Sequence, residues 1–267
     1  MKLDIKKVCV IKDLCTWFQY AEPEGGESQW KEGRSAMEFA RYMLSSNGNL
    51  PQDISKYLES IGVKDKAFEC YPEEITSFDN CNLGRGSGRH HDALLVSDNF
   101  IVGIEAKVSE PFDYSIVNKI ERAKKNSDSG NNMRTRINNS LKLLNQDFDE
   151  RNLNLGDNLM YQLVSASVGT IIESINRNKS QAAFLIIEFV GDVKKDTNYE
   201  EKLNTNQKAY DEFLTYLNLK DKDDKNRYID FDDEALKLIN KKGRLRLWIN
   251  KIRINIDREE CKYSCLS

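Results

Sequence analysis

The segment His91 to Glu110, HDALLVSDNFIVGIEAKVSE, constrains the fold more than any other part of the chain. Two apolar runs flank Ser97, Asp98 and Asn99, residues that favour turns over strands. A two-residue loop at Asp98-Asn99 makes the segment a β-hairpin. Ser97 then faces Phe100, and counting outward sets Asp92 across from Glu105. A four-residue loop gives the same register, whereas a three-residue loop sends the two acids to opposite faces. Glu105 and Lys107 lie two apart on one strand and share a face. The hairpin reading therefore gathers Asp92, Glu105 and Lys107 on one side of an apolar sheet.

The remaining pattern predicts an α/β chain. GRSAMEFARYML, from Gly33, reads as a helix capped by Ser35, with Met37, Ala40, Met43 and Leu44 as its apolar stripe. Pro51 precedes a second short helix over Ile54 to Ser60. Strand-like runs follow at Ala67 to Phe78, Asp92 to Val96 and Phe100 to Val108, joined by short connections that suit an antiparallel meander. A polar helical stretch starts near Tyr114, breaks near Gly130 to Asn132 and resumes to Asn145. Asn158 to Asn176 is an apolar helix, and Ala182 to Val190 (AAFLIIEFV) reads as a strand buried on both faces. Helices over Leu203 to Leu217 and Asp233 to Asn240 precede a last strand, Leu245 to Ile256. The first ~30 residues mix charge and aromatics and give no assignable pattern. This order predicts a central mixed sheet of four to five strands with helices on both sides, in one domain over residues 1–267.

Composition narrows the function classes. The chain has 40 basic and 43 acidic residues, so no global field draws a polyanion, and any attraction must be local. Six cysteines form no C-x-x-C pair and the only histidines are His90 and His91, which leaves too few ligands for a zinc site. No apolar run reaches membrane-spanning length, and MKLDIKK lacks an apolar signal core; the expectation is a cytoplasmic protein. The P-loop, the Rossmann glycine fingerprint and the G-x-S-x-G elbow are missing from the sequence, so a nucleotide cofactor is not expected.

Opposed carboxylates on an apolar hairpin repel one another across about 5 Å, and burial raises their pKa values. A divalent cation resolves that repulsion. Asp92, Glu105, the main-chain carbonyl of Ala106 and waters form an all-oxygen set suited to Mg²⁺ or Mn²⁺. Lys107 can then position a water nucleophile and offset charge on a phosphate.

Asp92, a gap of twelve residues and then Glu105-Ala106-Lys107 resembles the signature of the PD-(D/E)xK nuclease superfamily, with His91 where proline is usual. GRSAMEFAR, IEAKVSEPF and YQLVSASVGTIIES followed by AAFLIIEFV are similar to an uncharacterised bacterial family within it. The resemblance covers roughly Trp30 to Val190. It implies a restriction-endonuclease-like core and a Mg²⁺-dependent deoxyribonuclease of restriction, defence or repair type, such enzymes often acting as homodimers. It also implies a catalytic acid on the first core helix, which Glu38 matches, and a supporting glutamine, which Gln162 matches. Glu110, at the turn after Lys107, is a further supporting candidate. The alternative is an inactive member of the fold that binds nucleic acid or a protein partner.

Basic residues concentrate in two segments. Lys119 to Lys142 carries seven, including Arg134 and Arg136, against two acids; Lys237 to Arg253 carries seven, including Arg244 and Arg246, and no acid. Arg244, Arg246 and Trp248 share a strand face able to meet backbone and base. GRGSGRHH brings Arg85, Arg89 and His90 directly before Asp92, and Arg34 precedes the first core helix. These residues form the expected DNA-binding set.

Overall fold

The computed structural model describes residues 1–83, 88–125, 127–145, 159–191 and 198–256. Among these residues the frame is one mixed sheet of seven strands in the order β1-β2-β3-β4-β5-β7-β6. The strands are β1 (Lys2–Ile5), β2 (Ala67–Thr76), β3 (Arg89–Val96), β4 (Phe100–Lys107), β5 (Gln181–Gly191), β6 (Tyr228–Phe231) and β7 (Leu245–Ile256). β2, β3 and β4 form the expected antiparallel meander. β5 lies parallel to β4, and β7 parallel to β5.

The sheet exceeds the expected four to five strands because β1 and β6 close its edges. Each is four residues long, too short to carry a readable alternation. β1 pairs in parallel with the start of β2, and β6 antiparallel with the start of β7.

Among the described residues eight α-helices accompany the sheet: α1 (Leu14–Tyr20), α2 (Ser35–Ser45), α3 (Gln52–Ser60), α4 (Ile116–Lys124), α5 (Ser127–Leu144), α6 (Tyr161–Asn176), α7 (Tyr199–Tyr216) and α8 (Asp233–Lys237). The break expected near Gly130 falls instead after α4, since α5 runs through Gly130 to Asn132. On one face Leu94, Ile101, Phe184 and Ile186 pack with α6 residues such as Leu163, Ala166 and Ile171. On the other, Ala93, Leu95, Val102 and Ile104 pack with Phe39, Ala40 and Met43 of α2 and Ile54 and Leu58 of α3. Alternation along β4 supplies both faces, and all eight of its residues are buried.

Two glycines let α6 lie close to the sheet. A Cβ on Gly103 would stand 2.0 Å from Thr170 Oγ1, and one on Gly169 would stand 2.8 Å from His91 Nε2. This close approach brings the start of α6, with Gln162, over the end of β4. No helix among the described residues is long and apolar enough to cross a membrane.

Candidate active site

The hairpin forms with the two-residue loop: Ser97 N–H donates to Phe100 O at 2.9 Å. Pairing follows the expected register from Val96–Ile101 to Ala93–Ile104 and stops one residue short of Asp92–Glu105. There the strands part, and the Asp92 carboxylate takes the place of a ladder partner. Its Oδ2 accepts the Ala106 N–H at 2.6 Å. The divergence also turns His91 toward α6 at Gly169 rather than away from it. His91 is 1% exposed, and neither ring nitrogen has a hydrogen-bond partner. Burial, with Arg89 and His90 adding to it, holds its pKa well below the ordinary imidazole value, so it packs as a neutral ring.

Glu105 is the most heavily engaged acid. Its Oε1 accepts from Lys107 Nζ at 2.9 Å and from Gln162 Nε2 at 2.6 Å, and its Oε2 pairs with Arg89. Gln162 is itself fixed by the Asp113 N–H at 3.1 Å. Burial opposes the Lys107 charge, but Glu105 and Asp92 outweigh it and leave that pKa above the ordinary lysine value. Lys107 also sits 5.5 Å from the centre of the Phe112 ring. Asp92 is pushed up to about 7, first by burial and then by the Glu105 charge; Lys107, the Ala106 N–H and Arg89 pull the other way.

A third carboxylate joins them that the sequence did not single out. β2 pairs Pro72 with Ala93 and Glu74 with His91, which sets Glu73 opposite Asp92. Burial and the charges of Asp92 and Glu105 push the Glu73 pKa up to about 9. Its backbone is left-handed, with φ +47°, whereas the other described non-glycine residues with positive φ are all asparagines. Lys7 clamps this distortion, donating to Glu73 O at 2.9 Å and pairing with Glu74 at 2.7 Å. Pro72 inside a strand, followed by two acids, is the one sequence signal that marks the irregularity.

Glu73, Arg89, Asp92, Glu105, Lys107 and Gln162 line a cavity of about 620 Å³ with Arg34, Ser35, His90, Glu110, Lys119 and Arg136. Glu110 proves to be a structural clasp. Its Oε1 accepts the Ser35 N–H and its Oε2 the Val108 N–H, both at 3.0 Å. Glu110 therefore caps α2 from the turn after β4, a role the sequence assigned to Ser35, which is the first residue of the helix. Glu38 is buried; its Oε1 accepts from Gly33 N–H at 2.6 Å and Arg41 at 3.3 Å, and it is not among the residues that line the cavity.

The expected polyanion contacts separate into two sets. Arg34, Arg89, His90 and Arg136 line the cavity. Arg136 is buried, donating to Leu83 O at 3.1 Å beside the Phe78 ring, while Arg134 is exposed on the same helix. Arg246 pairs with Gln181, whose other neighbour is Phe100, seven positions from Lys107. Glu105 lies five positions along from Phe100, which places Arg246 about 17 Å from that acid along the strands. Arg246 is committed to Asp230 at 2.7 and 2.9 Å and stacks on Tyr228, and Trp248 is buried. Arg85 lies outside the described residues.

Cys9, Cys15, Cys70 and Cys81 are free thiols. Among the described residues no three His, Cys, Asp or Glu side chains are gathered in ready-made metal-ligand geometry. Protein donors occupy both Glu105 oxygens. The donor chemistry nonetheless fits a hard cation: Glu73, Asp92 and Glu105 line one cavity, and Glu73 and Asp92 are driven toward protonation by burial and carboxylate repulsion.

A family model described as a domain of unknown function (DUF6946) matches residues 11–254. The chain belongs to that family. The match spans the meander, the α6 helix and most of β7, and includes every described residue of the cavity. No curated protein and no solved structure matches the chain.

Proposed function

We propose that this chain is a divalent-cation-dependent phosphodiesterase acting on DNA, with a restriction-endonuclease-like core of the PD-(D/E)xK type. One observation carries the reading: Asp92, Glu105 and Lys107 meet in one cavity where β3 and β4 part. The antiparallel meander followed by a parallel β5 supports the core assignment.

Asp92 and Glu105, with the Ala106 carbonyl, would hold Mg²⁺ or Mn²⁺. Such a cation lowers the pKa of a bound water and offsets charge on a phosphate oxygen. The chain's own residues do the rest. Lys107 stays charged beside Glu105, where it can orient a water and face the charge that develops on the phosphate. Gln162 fixes the Glu105 carboxylate, and Glu110 holds the α2 terminus against the strand end. Glu38 secures the Gly33 turn that carries Arg34. Arg34, Arg89, His90 and Arg136 supply the basic wall for a polyanion.

A second reading has its own observation. Glu105 already has three protein donors, an arrangement that serves a binding protein with no cation. Calorimetric titration of Mg²⁺ and Mn²⁺ into the protein and an Asp92→Asn/Glu105→Gln double variant separates the two. Saturable binding lost in the variant supports the enzyme. DNA binding that ignores cations, with no cleavage, supports the binder.

A further inference from the structure

Glu105 is accessible to a cation only on one side. Lys107 and Gln162 both sit on Oε1, so Arg89 alone stands on Oε2. The pair is largely shielded from solvent, with side-chain exposures of 13% for the part-buried Arg89 and 2% for the buried Glu105. A guanidinium and a divalent cation cannot share that oxygen: a ligand distance near 2.1 Å would set two positive charges in contact. Arg89 itself is incompletely satisfied here, because its buried Nε has no hydrogen-bond partner. A guanidinium offers parallel N–H donors that match a phosphate bidentately, whereas Glu105 Oε2 engages only Nη2. Arg89 also lines the cavity beside His90 and Arg34, on the wall a polyanion would follow.

We propose that Arg89 is an internal counter-ion that couples cation binding to polyanion binding. It neutralises Glu105 in the free protein; when a substrate phosphate engages the guanidinium, Oε2 is released to the cation. This rests on the phosphodiesterase reading above. Coupling of this kind is reciprocal, so the cation strengthens DNA binding by the factor by which DNA strengthens cation binding. Arg89 is thus a positioning residue whose removal separates two affinities instead of lowering both.

The test uses Ca²⁺, an oxygen-ligated cation, with intact DNA verified on a gel. Calorimetry measures Ca²⁺ binding to the wild type, Arg89→Met and Asp92→Asn. Anisotropy measures a short labelled DNA duplex with and without Ca²⁺. Arg89→Met keeps the volume, and Lys107 still neutralises Glu105. It is expected to bind Ca²⁺ about tenfold more tightly than the wild type, while the Ca²⁺-driven gain in DNA affinity shrinks from about tenfold to less than about twofold. Equal or weaker Ca²⁺ binding by Arg89→Met, with binding lost in Asp92→Asn, overturns the counter-ion role and leaves the cation site standing. Absence of Ca²⁺ binding in the wild type and in Arg89→Met, with and without DNA, overturns the phosphodiesterase reading and this inference with it. Should Arg89→Met fail to fold, Arg89→Lys replaces it. A Ca²⁺ affinity and a DNA coupling unchanged from the wild type would then overturn the proposal.

Discussion

Replacing Asp92 with asparagine should make the protein more stable above pH 7 and leave it unchanged near pH 4. An ordinary aspartate ionises near 4, whereas burial and the Glu105 charge push Asp92 up to about 7. The folded protein therefore holds this proton more tightly than the unfolded chain does. Stability is fully present below pH ~4, declines as pH rises toward 7, and the loss is complete above it. The full difference corresponds to about 4 kcal/mol. Asp92 is half-buried and its charge bears on the Glu73 carboxyl, so about 1–3 kcal/mol is the expected gain in the variant. Asparagine retains an oxygen acceptor for the Ala106 N–H, so the fold loses no hydrogen bond. At this chain length each kcal/mol moves Tm by about 2 °C, giving a rise of about 2–6 °C at pH 8. Thermal melts from pH 4 to 9 in EDTA measure it. A rise of the same size at pH 4, or a fall at pH 8, would refute the assignment of repulsion to this carboxylate.

Three other outcomes follow from the geometry. Glu110→Ala removes the acceptor of two backbone N–H groups and should cost about 1–2 kcal/mol in urea unfolding; an unchanged midpoint would return Glu110 to an ordinary loop acid. Glu73→Asn relieves both the left-handed strain and part of the carboxylate repulsion, and should stabilise by about 1 kcal/mol at pH 8, measured the same way. Arg34→Ala should weaken DNA binding about threefold and flatten its salt dependence, while Arg246→Ala leaves DNA affinity unchanged. The reverse order in a salt-titrated binding assay would move the polyanion path to the Tyr228–Arg246 end of the sheet.

The hairpin was legible because its signal is local. Asp98 and Asn99 between two apolar runs set a two-residue loop, and the loop sets the register as far as Ala93–Ile104. The last strand, Leu245–Ile256, was legible from its composition and length. What the sequence concealed depends on contacts between distant segments. Nothing near Glu110 announces that it caps a helix 75 residues away. The parting of β3 and β4 at Asp92, the inward turn of Glu73 and the commitment of Arg246 to Asp230 are tertiary events. Glu38 illustrates the same limit, since its helix position suited a site acid but a backbone N–H and Arg41 claimed it. β1 and β6 escaped because four-residue edge strands, held by pairing to one neighbour, have little pattern of their own.

The central claim is that Asp92, Glu105 and Lys107 form a cation-dependent phosphodiesterase site. Labelled single- and double-stranded DNA, incubated with the protein in Mg²⁺, Mn²⁺ or EDTA beside a folded Lys107→Ala variant, tests it most directly. The account predicts products that require the cation and that fall at least about a hundredfold in Lys107→Ala. Intact DNA in both cations, or undiminished cleavage by Lys107→Ala, would contradict it.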